Sequence, residues 1–209
     1  MLSVKRKSLF DRCGTSPPSF RGDVQSQVLI YMSIRAIVTA WKTDGTLSVV
    51  QRDVETKAAA RCVVAYQTVQ QAFSGPWSSA SEQDRYRTVK AIIDLFIDGE
   101  AMAVRVPPSK SARAQLALLD PTDDAVWEFR TRPGKKKGGH RYGVRVFGMF
   151  ADKNLFVAMS PAFKEDLLDE SDYPREIEFC KRQWRMLFPS YKPRLGDPPD
   201  AYLSNWHLS

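Results

Sequence analysis

The chain is expected to fold as an α+β protein, with an antiparallel meander in its C-terminal half packed against helices and an extra strand–strand–helix unit ahead of it. Three observations lead there. Residues 125–159 hold three runs of alternating apolar and polar residues joined by short connections, as half-buried neighbouring strands do. Helical-period stripes flank them, one ending at Gly99 and one opening at Pro174. The chain has 209 residues of which 43% are apolar, enough to bury an ordinary core.

Taken in order, residues 1–31 are rich in Ser, Pro, Gly and Arg and read as a weakly ordered basic arm. Residues 32–76 read as a strand–strand–helix extension. Ile34, Ala36, Val38 and Ala40 alternate, Thr43-Asp44-Gly45-Thr46 is a hairpin turn signal, and Leu47 to Val50 completes the hairpin. Ala59, Val63, Tyr66 and Val69 then recur at helical spacing up to Gly75-Pro76.

The main domain is expected over 80–189. Ser81 caps a helix whose stripe is Ile92, Ile93, Leu95 and Phe96, stopping at Gly99. Ala101 to Val106 is a short strand, closed by Pro107-Pro108, and Ser109 opens a helix through Leu119. The meander follows as Ala125–Arg130, Tyr142–Phe150 and Leu155–Met159, with a basic glycine-bearing loop over 132–141. Ile177, Cys180, Trp184 and Leu187 form the stripe of the last helix. The tail 190–209 is proline-rich and irregular, yet Tyr191, Tyr202 and Trp206 suit it to wrap back onto the sheet.

Net charge is +7, from 31 Lys and Arg against 24 Asp and Glu, a balance that favours nucleic acid or another anionic surface as partner. The three cysteines, Cys13, Cys62 and Cys180, have neither disulfide-scaffold nor zinc spacing. No apolar run reaches the roughly 20 residues of a membrane span, and no signal-peptide pattern opens the chain. A cytoplasmic protein without membrane contact is expected.

The charge is concentrated. Between 127 and 145 stand Arg130, Arg132, Lys135, Lys136, Lys137, Arg141 and Arg145 against Glu128 alone, which is +6 of the chain's +7. Such a loop between two strands suits a phosphate backbone, and guanidinium forks hold phosphates at two points. Arg132, Lys135, Lys136, Lys137 and Arg141 are the candidate nucleic-acid contacts. Alternation along a hairpin displays Arg130 and Arg145 together on the non-core face, where they can stabilise charge building on a phosphate. His140 and Tyr142 are candidates for moving a proton and Lys164 is a further cation. The open alternative is a solvated hairpin whose arginines pair with the acidic stretch 165–172. Trp127, Phe129, Phe147 and Phe156 can stack on bases, but strand aromatics more often belong to a core. Asp120, Asp123 and Asp124 read as a turn at a helix end, so neither metal nor cofactor is expected.

Helix, helix, Trp127-Glu128-Phe129-Arg130, a basic glycine loop, Val144-Arg145-Val146-Phe147, a turn, then Leu155-Phe156-Val157-Ala158 running to Ala162-Phe163-Lys164: over about residues 80–165 this order resembles the RelE/HigB group of bacterial toxins. The resemblance implies a RelE-like α+β fold and a metal-independent endoribonuclease acting on mRNA, often on the ribosome, with an antitoxin protein as partner. It implies that Arg130 and Arg145 match the arginines of the two central strands and Lys164 the first lysine after the third. The reaction would be attack of an RNA 2′-OH on the adjacent phosphate. Two other readings stay open: a non-catalytic nucleic-acid or ribosome-binding protein of the same fold, and a protein–protein interaction module from a mobile element.

Overall fold

In a computed structural model of the protein, the described residues are 33–209 without 54–57, 110, 112, 132–134, 137–138, 141–142 and 196–198, with the backbone alone at 135–136 and 139–140. The arm expected over 1–31 lies outside them.

Helix α1 (Ile34–Thr43) stands where a strand was expected. Ile34, Ala36, Val38 and Ala40 satisfy a two-residue period, but Ile34, Ile37, Val38 and Trp41 satisfy the helical one equally well. Ser33 decides between them, its Oγ accepting from the Ala36 amide at 3.3 Å as an N-cap does. The helix buries Ile37 and Val38, and Trp41 Nε1 donates to the Leu187 carbonyl at 2.8 Å. After the Gly45 turn, β1 (Leu47–Val49) pairs not with residues 34–40 but with β2 (Cys62–Tyr66), antiparallel, Val49 opposite Val64. The helix expected from Ala59 therefore begins later, as α2 (Gln67–Ser74), and stops at Gly75. Val63 and Val64 are both fully buried, and a strand covered on both faces has no alternation to betray it.

Helix α3 (Ala80–Ile97) is capped by Ser79, whose Oγ accepts from the Glu82 amide at 3.1 Å. Tyr86, Val89, Ile93, Phe96 and Ile97 form its buried stripe, and Leu95, expected there, is 43% exposed. Strand β3 (Met102–Arg105) follows as expected. The helix expected over 109–119 is instead β4 (Leu116–Leu118), parallel to β3 and buried at all three positions. An apolar run of this length is ambiguous by itself, and pairing on both edges makes it a strand.

The meander is present: β5 (Trp127–Arg130), β8 (Val144–Asp152) and β9 (Leu155–Phe163) are antiparallel neighbours. Between β5 and β8 the loop forms a two-residue ladder of β6 (Lys135–Lys136) and β7 (Gly139–His140). Helix α4 (Asp172–Leu187) follows, with Ile177, Cys180, Trp184 and Leu187 buried. The tail wraps back: Tyr202 stacks on Phe150 at 5.4 Å, and β10 (Trp206–Leu208) lies parallel to β3.

The main sheet has eight strands in the order β1-β2-β9-β8-β5-β4-β3-β10. It is mixed rather than antiparallel throughout, because β2 joins β9, and β4 and β10 join β3, in parallel. Parallel neighbours need a crossover rather than a hairpin, and contacts of that range leave no local trace in sequence. The antiparallel meander forms the sheet's centre. One face holds Phe129, Val144, Val146 and Phe150 in a core shared with α3. The other carries Phe147, which meets Tyr173 of α4 edge to face at 5.9 Å. Trp127, Phe129, Phe147 and Phe156 are all core residues, each at most 1% exposed. Among the described residues no helix is long and apolar enough to cross a membrane.

The α4 face also buries a carboxyl. Glu176 Oε2 accepts from Ser160 Oγ at 2.6 Å, and burial lifts its pKa above the usual range against that hydrogen bond and the Arg175 charge. A carboxyl raised on folding stabilises fully below its unfolded pKa, and that contribution is lost as pH rises through the folded value. Glu176→Gln is therefore expected to flatten the fall in stability between pH 5 and pH 8. Urea unfolding of both proteins at the two pH values checks this, and parallel pH profiles would refute it.

Candidate nucleic-acid interface

Cross-strand pairing in the meander sets the geometry of the site. Arg130 of β5 lies directly opposite Arg145 of β8, so both side chains share a face, together with Glu128 two residues back. That face is not open, as a bare hairpin would leave it, because α4 covers it. Arg145 is 4% exposed and Glu128 1%. Arg145 Nε stands 3.2 Å from Glu128 Oε2, and Arg130 Nε stands 3.6 Å from Oε1. Arg145 Nη1 also donates to the Thr131 and Val144 carbonyls at 3.0 and 3.1 Å. The arginines are thus anchored by a carboxylate from their own hairpin rather than presented bare to solvent.

Local backbone geometry holds this arrangement. Thr131 Oγ1 accepts from the Val144 amide at 2.9 Å. A Cβ at Gly143 would fall 2.4 Å from that oxygen, so only glycine permits the approach. The Lys164 amide donates to the Gly143 carbonyl at 2.9 Å, bringing Lys164 to the same corner. Its Nζ donates to the Leu167 carbonyl at 3.1 Å and stands 5.0 Å from the Tyr173 ring centre.

The electrostatics follow from crowding. Burial pushes the Glu128 carboxyl up, opposed by the charges of Arg145, Arg130, Arg105 and Lys164. Burial pushes Arg130 down, with Arg145 and Arg105 adding to it and Glu128 opposing. Lys164 is lowered by burial and then by Arg145, with Glu128 opposing. Burial and the Glu128 charge raise the Tyr173 phenol. Four cations therefore act on one carboxylate, and the excess is positive. Arg130 Nη1, Arg105 Nε and Arg145 Nε, and the acceptor Glu128 Oε2, are buried without a hydrogen-bond partner among the described residues, so the cluster's charges attract one another without satisfying all their hydrogen bonds.

Two carboxylates of the acidic stretch pair elsewhere than with Arg130 or Arg145. Glu165 forms a two-point pair with Arg85 of α3, at 2.5 and 2.6 Å, and Asp172 pairs with Arg175 at 3.0 Å. Asp124, in the turn after β4, pairs with Lys181 at 2.9 Å.

Of the residues expected in the site, Arg130, Arg145 and Lys164 come together. Lys135 and His140 are register partners in the β6–β7 ladder, with Lys136 opposite Gly139. Their side chains, and all of Arg132, Lys137, Arg141 and Tyr142, lie outside the described residues. Sequence reasoning missed three participants. Glu128 reads as an outward position of an alternating strand, Arg105 as the end of a short apolar strand, and Tyr173 as a residue ahead of a helix. Only the lone arginine within Met102–Val106 carries a signal. Comparison with family models, with curated proteins and with solved structures finds no match to the chain.

Proposed function

We propose that the protein binds RNA, gripping its phosphate backbone with the 130–145 hairpin and the cations beside it. The observation that carries this reading is the gathering of Arg105, Arg130, Arg145 and Lys164 around the single buried carboxylate of Glu128. The ion pair stiffens the base of the hairpin, so the loop cations are offered from a fixed platform. Phosphate contacts of this kind give affinity and position without reading sequence.

The test is the salt dependence of binding. Affinity of the full chain for a labelled single-stranded RNA, measured by fluorescence anisotropy, is expected to fall between 50 and 200 mM salt with a log–log slope of about −0.7 per phosphate neutralised. Changing Lys135, Lys136 and Lys137 together to alanine is expected to reduce that slope by about 2. A flat salt response, or tighter binding to duplex DNA than to RNA, would overturn the proposal.

A second reading is cleavage by attack of the 2′-OH, as the RelE/HigB resemblance implies, with an antitoxin as partner. The register of Arg130 against Arg145, with Lys164 beside them, favours it. The commitment of Arg145 to Glu128 favours binding instead. Cleaved ends produced by wild type and abolished by Arg130→Gln would select catalysis; intact RNA in a saturated complex would exclude it and leave binding standing.

A further inference from the structure

A second cationic feature lies at the other end of β8. Arg145 is the second residue of that strand and Lys153 follows its last, so the two are separated by roughly 25 Å of extended chain. There a cleft of about 390 Å³ opens between the start of α1, the end of β1, the approach to β2, the end of α3 and the β8–β9 turn. Its lining includes Arg35, Arg52, Arg61 and Lys153, and no Asp or Glu among the described residues.

The four cations are differently held. Arg35 pairs with Asp152 at 2.5 Å and Arg52 with Asp98 at 2.6 Å. Arg61, 3% exposed, has its guanidinium fixed by four backbone carbonyls: Nη1 donates to Phe96 and Glu100, and Nη2 to Ser204 and Asn205. It forms no ion pair among the described residues, and neither does Lys153 at the exposed turn. Neither of these two charges is salt-bridged among the described residues, although the Glu100 charge acts on Arg61; beside a partly enclosed space their positive field is weakly screened. The rest of the lining is mixed, Val49, Val50, Val63 and Ile97 standing beside the amides of Gln51 and Asn154. A cationic rim over aliphatic side chains and two amides, at this volume, is the composition of a small-molecule pocket.

We propose that this cleft binds a small phosphorylated organic molecule of about mononucleotide size. Lys153 would meet the phosphate at the mouth, beside the Arg35–Asp152 pair and within the field of the fixed Arg61, while the organic part lies against Val50, Val63 and Ile97. The site is independent of the RNA-binding reading, since it shares no residue with it.

The probes are AMP, inorganic phosphate and adenosine, titrated calorimetrically into the full chain at low salt. AMP is expected to bind at least about tenfold tighter than either fragment, because only it engages both the rim and the aliphatic side chains. Lys153→Glu, in an exposed turn, is expected to weaken AMP about tenfold or more while RNA affinity changes little. Lys153→Gln should give a smaller loss in the same direction, which guards against a folding defect in the charge reversal. No AMP binding at 5 mM, AMP affinity unchanged in both variants, or equal affinity for AMP and either fragment would overturn the proposal.

Discussion

Glu128→Ala is expected to cost about 3–5 kcal/mol of folding stability, the usual result of removing one partner from a buried ion pair. The carboxylate is 1% exposed and stands 3.2 Å from the Nε of Arg145, itself 4% exposed. Alanine leaves that guanidinium buried beneath α4 with two carbonyls and the Tyr173 phenol but no opposite charge, and exposes it to the like charges of Arg130, Arg105 and Lys164. Urea unfolding measures the loss, and a variant within 1 kcal/mol of wild type would mean the network contributes nothing. The double change Glu128→Met with Arg145→Met should recover much of the deficit, because an apolar pair of similar size lacks the desolvation penalty. A double variant as unstable as Glu128→Ala would show that the site depends on its charges for more than pairing.

Gly148→Ala is the other large effect. A Cβ at this position would fall 2.1 Å from the Val157 carbonyl oxygen and 2.7 Å from the Phe156 ring. The register shifts between Phe147 and Gly148, the mark of a β-bulge, so the two backbones already approach more closely than side chains allow. Neither neighbour can yield: the carbonyl belongs to a central strand, and Phe156 is fully buried among Phe129 and Phe150. A loss above about 3 kcal/mol is expected, through strain in the core, and recovery of soluble protein should fall with it. Gly45→Ala provides the contrast. Nothing lies within 4 Å of its Cβ, and its φ of +84° alone is at stake, so about 1–2 kcal/mol is expected. Equal losses at the two positions would refute the steric argument.

The elements that were legible are those with one exposed face. Helix α4 shows its stripe because its outer side is polar, and the β5–β8–β9 meander shows its alternation and its short connections. The elements misread are covered on both sides or satisfy two periods at once. β2 and β4 are apolar runs without alternation, and α1 fits a strand as well as a helix until Ser33 is seen capping it. The mixed character of the sheet was invisible for another reason: β2 meets β9, and β10 meets β3, across about ninety and one hundred residues of chain, and nothing local encodes such a pairing.

The site divides along the same line. Sequence by itself determined that one hairpin carries most of the net charge, and that Arg130 and Arg145 share a face, because alternation and a connecting loop settle both. It also determined that Trp127, Phe129, Phe147 and Phe156 suit a core, since aromatic residues in paired strands gain most by leaving water. Only the tertiary structure decided what that face meets. Helix α4 folds over it, turning Glu128 from an apparent surface residue into the buried anchor of Arg145, and drawing Arg105, Lys164 and Tyr173 into one corner. The reason is dielectric: the same charges that water would screen along an open hairpin must pair, once covered, with whatever opposite charge the fold brings within about 3–4 Å.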